Sequence, residues 1–426
     1  MIQLNWFLSV FLFLFLAAAG FRLFLSRLNL RNLKKHGQSV PEVFAGTIDK
    51  KTLERMTGYT LDSSRFGMMH SLFDDGFLLA ILLSGILPWY GGIIEKLHLP
   101  FVVAALLFLA GYGAAEWVFS IPFDLYSTFV IEKRHGFSTT TLKLWIGDLF
   151  KSFVISAILA GILLSAFFAL MRGAPNSWWF WAWLLFASFQ LLALWLYPVL
   201  IAPLFNKYEP VADDTLRDEI IALMAKAGLT AKAVLQVDEG KRSRHSNAYF
   251  TGLGKTKRIV LYDTLLSSHD REEILAILAH EIGHWKKRHI MKQLLFMEAA
   301  SLTLFYLTYR LLEWPYLYRT FGFDQILPYA GLILLSAAAS PAAFFISPAL
   351  SCISRKFERE ADEYSKFLIG STAALSTAMK RLAKDNLSNL HPHPFYAWFY
   401  YSHPPLPDRI SYLESIDRGC EDGKTT

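Results

Sequence analysis

Long apolar runs dominate the chain, with polar residues gathered into a few segments between them. A helix that crosses a bilayer needs about 20 mostly apolar residues, because no water is available there to satisfy exposed backbone groups. Seven stretches meet that requirement, at 5–25, 76–94, 101–121, 152–171, 178–200, 293–312 and 327–349. They predict an all-α multi-spanning membrane protein. Residues 201–292 break the pattern: they open at Pro203, show helical spacing over 213–228, and then read as strands in KAVLQVDE and KRIVLYDTLL on either side of SNAYFTGLG. Gly252 and Gly254 predict a turn there, so a small β-sheet is expected in a polar unit between the fifth and sixth spans. A second helix is expected from residue 271, capped by Asp270, with Ile274, Leu275, Ile277 and Leu278 on its apolar side. The organisation that follows is five spans with their loops in 1–200, a polar core in 201–292, two spans in 293–349 and a polar segment in 350–426.

Composition agrees with a membrane class: 54% of residues are hydrophobic and 18% charged, and mean hydropathy is +0.32. The net charge of +6 does not point to nucleic acid, since the Lys and Arg residues lie between apolar runs and form no single basic face. They read as topology signals. Arg27, Arg31, Lys34, Lys35, Lys50, Lys51, Arg55 and Arg65 follow the first span, whereas the loops 95–100 and 172–177 hold one basic residue each. The first long loop is therefore expected on the cytoplasmic side, and counting spans puts 122–151, 201–292 and the tail after 349 there too. No basic residue precedes the first apolar run and Arg22 and Arg27 follow it, the wrong polarity for a cleaved signal. Glu116 in the third span and Glu298 in the sixth suit a water-filled interior better than a lipid face. Cys352 and Cys420 are too few for a disulfide framework or a thiolate metal site, so any metal must be held by His and carboxylate.

The chemistry is carried by His280-Glu281-Ile282-Gly283-His284. On a helix, residues four apart share a face, so both imidazoles can reach one zinc ion while Glu281 stands beside it. Zinc lowers the pKa of a bound water towards about 7, and a carboxylate in that place can take the proton. A third ligand is needed downstream, and the acidic segment SRKFEREADEYS offers Glu358 and Glu360, between which spacing decides little. Asp362, one turn after Glu358, is placed to accept a hydrogen bond from a ligand histidine.

Six separated blocks then carry a resemblance: STFVIEKRHGF (127–137), Lys241 to Arg244 followed by HSNAYFTG (245–252), KRIVLYDTLL (257–266), HEIGHWKKRH (280–289), FEREAD (357–362) and YSHPPLPDRI (401–410). In this order they resemble peptidase family M48, and within it the type I CAAX prenyl proteases, integral membrane enzymes that trim prenylated carboxyl termini. The resemblance implies seven helices around an intramembrane chamber closed by a gluzincin-like zinc domain, with one Zn2+ per chain and Glu358 as the third ligand. It also nominates Asn247 to contact substrate backbone and His403 to stabilise the oxyanion. His289, His391 and His393 are read as structural or surface residues. The expected partners are a peptide or protein substrate, prenylated in the CAAX case, and the lipid bilayer, in a bacterial inner membrane or the endoplasmic reticulum. Two other readings stand beside this one: a membrane-protein quality-control metalloprotease with the same chemistry, and, from a different class, a transporter or channel using the buried acids.

Overall fold

The computed structural model describes residues 2–251 and 258–421, with side chains to residue 417. Helix α1 (Trp6–His36) starts at Asn5, whose side chain accepts from the amide of Leu8, and α2 (Lys50–Leu83) starts at Asp49, which caps the amide of Thr52. The chain then turns at Gly85, whose φ of +80° is readily open only to glycine, into the short helix α3 (Ile86–Lys96). The span expected at 76–94 is thus corrected. Its apolar run is two helix pieces joined at a left-handed residue, and the membrane-length helix is α2, reaching back to residue 50. Helix α4 (Phe101–Tyr126) continues to Glu132 through widened turns that follow Pro122, which has no amide to donate. Helices α5 (Leu142–Gly173) and α6 (Trp178–Leu196, extended to Leu204) complete the first five spans.

The polar unit follows as β1 (Tyr208–Pro210), α7 (Asp214–Lys226), β2 (Ala233–Val237), β3 (Ala248–Thr251), β4 (Arg258–Tyr262), α8 (Asp263–Ser268) and α9 (Arg271–Lys286). The sheet order is β1-β2-β4-β3, with β2 and β4 parallel and β3 antiparallel to β4 at one edge. Asp263 ends the strand that was expected to run on through Thr264, Leu265 and Leu266, and those residues turn as helix α8. The predicted turn at Gly252 and Gly254 lies outside the described residues. Asp270 and Glu273 close a reciprocal capping box on α9, so this helix has a fixed start. Beneath it, Ile274, Leu278 and Ile282 pack with Ile220, Ile259 and Leu261 into one core.

Helix α10 (His289–Leu312) is the sixth span, and after α11 (Pro315–Thr320) comes α12 (Pro328–Ile369), 42 residues in one piece despite Pro341 and Pro348. The seventh span and the acidic segment expected after it are one helix. The chain closes with α13 (Ala373–Asp385), α14 (Pro394–Tyr400) and α15 (Leu406–Glu421). Phe44, Leu53, Met56, Phe137, Ala276, Leu375 and Ile410 share a core, which gathers the first loop, the third connection, α9 and the tail at one end of the molecule. Each of these segments follows an odd number of candidate spans, so all of them emerge on the same side.

Among the described residues seven helices are long and apolar enough to span a membrane, and in none does more than 33% of the apolar window bury inside the protein. Their remaining surface faces lipid or an open interior. A cavity of about 720 Å³ between α1, α2, α4 and α12 forms part of that interior, lined by Arg22, His70, Asp75 and Glu116 among aromatic rings. Arg22 holds Asp75 through two contacts of 3.0 Å, which pairs those two charges inside the helix bundle. Glu298 accepts from Gln190 Nε2 at 2.8 Å.

Candidate active site

Helix α9 and helix α12 cross at Gly283. A Cβ built there would lie 2.9 Å from the backbone of Ala361, so the small residue is what lets the two helices come so close. This contact brings Glu358 over the histidine face of α9. His280 Nε2 lies 3.2 Å from His284 Nε2 and 3.5 Å from Glu358 Oε2, and His284 Nε2 lies 3.4 Å from Glu358 Oε1. Tetrahedral zinc ligands about 2.0–2.2 Å from the ion stand about 3.3–3.5 Å apart, so the three groups fit such an ion. The same three are the group of described residues able to hold a metal.

Each ligand candidate has a partner behind it. His280 Nδ1 contacts Asp362 Oδ1 at 2.8 Å, which fixes that ring's tautomer and leaves Nε2 for a metal. Asp362 is gripped in turn by Arg409, whose Nε and Nη2 donate to its two oxygens at 2.8 and 2.7 Å. Arg409 Nη1 also lies 3.1 Å from Glu358 Oε2, so one buried cation ties both carboxylates of α12. Burial and Arg409 act to lower the His280 pKa, but hydrogen bonds to Asp362 and Glu358 outweigh them and raise it to about 9. His289 is the partner of His284: their Nδ1 atoms are 3.1 Å apart, and His289 Nε2 meets Glu360 Oε2 at 3.0 Å. The ring is 1% exposed and stacks on Phe357 at 4.2 Å, so of the two readings the sequence left open, structural or surface, it is structural. Glu360 faces His289 and stands apart from the metal group.

A cleft of about 340 Å³ opens at this centre, lined by Asn247, Ala248, His280, Glu281, His403 and Arg409. Asn247 immediately precedes the edge strand β3, and its side chain accepts from the amide of Ala248. His403 Nδ1 lies 2.8 Å from Glu358 Oε2 while 62% of its side chain is exposed, so the ring reaches from the ligand carboxylate into the cleft. Every site residue expected from the sequence is therefore within this one region. Arg409 was not singled out beforehand, and the pairing of Glu360, the other ligand candidate, with His289 was not foreseen. Arg409 stood in the YSHPPLPDRI block, and a lone arginine among prolines was the only signal available. His391 and His393 lie elsewhere, on Ser39 and at the start of α14.

Comparison with known families separates the two halves of the molecule. Residues 29–207 match the CAAX prenyl protease N-terminal model, described by its five membrane helices, and residues 210–417 match the peptidase family M48 model. This chain belongs to peptidase family M48. Among M48 relatives, a CAAX prenyl protease 1 homolog of Arabidopsis thaliana is 36% identical over 89% of this chain and 91% of its own length. CAAX prenyl protease 1 of Saccharomyces cerevisiae is 32% identical over 92% of each chain, and the human homolog is 30% identical over 91% of each. The crystal structure of S. mikatae Ste24p superposes with a TM-score of 0.90 at 30% identity, covering 97% of this chain and 100% of that one. The chain is a multi-pass membrane metalloendopeptidase of the CAAX prenyl protease group, and the transporter or channel reading is set aside.

Proposed function

We propose that this protein is a zinc endopeptidase that cleaves near the carboxyl terminus of prenylated CAAX peptides or other membrane-associated substrates. The observation that carries the reading is the triangle of His280, His284 and Glu358 beside Glu281, inside a membrane chain matched over its length to CAAX prenyl proteases. Zinc held by the three residues would polarise the scissile carbonyl and lower the pKa of the attacking water. Glu281, in the same cleft but outside the ligand set, takes the proton of that water on its carboxylate and returns it to the leaving amine. His403 donates towards the oxygen that gains negative charge. Asn247 and the edge strand β3 receive the substrate as an extended segment, because an unpaired strand edge offers amides and carbonyls at the peptide spacing. Asp362, Arg409 and His289 hold the imidazoles in place. The catalytic unit works on the cytoplasmic face, where the basic loops lie.

Glu281→Gln tests this reading. The amide keeps the shape and the ligands are elsewhere, so the variant should retain its metal and its affinity for a prenylated CAAX peptide, while turnover falls on the order of 10²- to 10⁴-fold. Near-normal cleavage by the metal-loaded variant would remove Glu281 from the reaction. Cleavage of unprenylated membrane peptides at equal efficiency would favour the quality-control reading.

A further inference from the structure

A second concave site shares no lining residue with the zinc cleft and lies beside it, at the polar end of α1 and the start of the polar part of α12. It is a cavity of about 700 Å³ whose lining carries the cations Arg355, Lys356 and Arg359 beside the rings of His36 and His391, against the single carboxylate of Asp408. Among the described residues none of the three α12 cations forms an ion pair. Arg355 Nη1 donates to the carbonyl of Tyr401 at 2.6 Å, and Arg359 lies 5.8 Å from the centre of the Tyr412 ring. Uncompensated cations side by side repel one another, and proteins relieve this with acids on neighbouring turns or with a bound anion. Here the acids of the same helix have their closest partners elsewhere: Glu358 at the histidines, Glu360 with His289, Asp362 with Arg409 and Glu363 with Tyr412, so that Lys356 has Glu360 only as a more distant charge.

The cavity's level relative to a bilayer is written in its neighbours. On α12, Phe345, Ile346, Leu350 and Ile353 are exposed, and the cations begin two residues later. Helix α1 changes in the same way, from exposed Leu14, Leu16 and Phe24 to Arg31, Lys34, Lys35 and His36 at its end. Phe395 and Trp398 of α14 are exposed beside the cavity with their rings stacked 5.8 Å apart, as aromatic side chains do where hydrocarbon meets headgroup. A cationic pocket opening at that boundary, with an apolar helix face running away from it, matches a phosphodiester headgroup with acyl chains along the helix.

We propose that the cavity between α1, α12 and α14 binds the phosphate of an anionic phospholipid. The bound lipid neutralises Arg355, Lys356 and Arg359. Because α12 also carries Glu358, it fixes the height of the metal centre above the bilayer. The site is independent of which peptide the enzyme cleaves.

The test uses the full chain in neutral detergent, mixed with equal amounts of phosphatidylglycerol and phosphatidylcholine, with lipid retained per protein measured after gel filtration. The wild type should retain phosphatidylglycerol in preference. Lys356→Gln with Arg359→Gln should lower that retention at least about tenfold, since each cation near an anionic surface contributes appreciably. Melting temperature in lipid-free detergent and metal content should be unchanged, and Lys356→Glu alone, at an exposed helix position, gives the same comparison if the double variant yields little protein. The proposal is overturned if the variant retains phosphatidylglycerol as the wild type does, or if the wild type does not discriminate between the lipids. It is overturned equally if inorganic phosphate raises the melting temperature as much as phosphatidylglycerol does, which would mean a free-anion site. A rise in KM for peptide without loss of lipid retention would give the pocket to the substrate instead.

Discussion

The choice between Glu358 and Glu360 turns on two residues of one helix that share composition and charge. Glu358 faces both histidines at 3.4–3.5 Å, while Glu360, two residues on and so about 200° round the helix, lies against His289. Metal analysis of purified protein should find about one zinc per chain in the wild type and a near-complete loss in Glu358→Ala. Glu360→Ala should keep the metal with affinity weakened about 10- to 100-fold, because it removes the carboxylate that orients His289 and through it His284. Loss of zinc from Glu360→Ala with retention in Glu358→Ala would reverse the assignment. Protonation bears on the same atoms: with His280 raised to about 9 in the metal-free site, the ion must displace a proton from the ring. Apparent zinc affinity should therefore climb as pH rises towards 9 and fall below it, which a competitive chelator titration at several pH values would measure.

Among the helices, the crossing of α9 and α12 decides whether three ligands from distant segments meet. Gly283 permits it, and the 2.9 Å approach to the backbone of Ala361 leaves no room for a methyl group. Gly283→Ala should force the helices apart at a cost of about 1–3 kcal/mol. Because the separation falls between the ligands, zinc affinity should drop more than thermal stability does, and parallel measurement of both separates a site effect from general destabilisation. Equal zinc binding would mean that the helices adjust by rotation. The capping box at Asp270 and Glu273 fixes where α9 begins, and so which residues face the crossing.

At the scale of the whole molecule, one shared core draws the first loop, the third connection, the catalytic unit and the tail to the same end. If the basic loops face the cytoplasm as proposed, a cysteine placed in 172–177 and one placed in the tail should label oppositely with an impermeant reagent on intact cells. Equal labelling would contradict seven crossings. Chelation should also lower the melting temperature of the full protein and zinc should restore it, since an ion held by the proposed ligands would join α9 to α12 across two membrane spans.

Reading the chain alone determined what depends on local composition and short periods. Apolar length marks spans because the bilayer leaves no alternative to a helix, and the four-residue spacing of His280 and His284 places both on one face whatever surrounds them. Those features were legible, as was the small sheet. What escaped depended on a single dihedral or on distant partners. The turn at Gly85, with φ +80°, moved the second span back into α2, although hydropathy joined the residues on either side of it. Pro341 and Pro348 do not end α12, which carries the third ligand candidate in the same helix as the seventh span. Arg409 is 129 residues from His280 and 47 from Asp362, and His289 is 71 from Glu360. No period in the sequence encodes such pairs. They arise only when helices pack closely enough to exclude water, and in that low-dielectric contact a charge must find its partner.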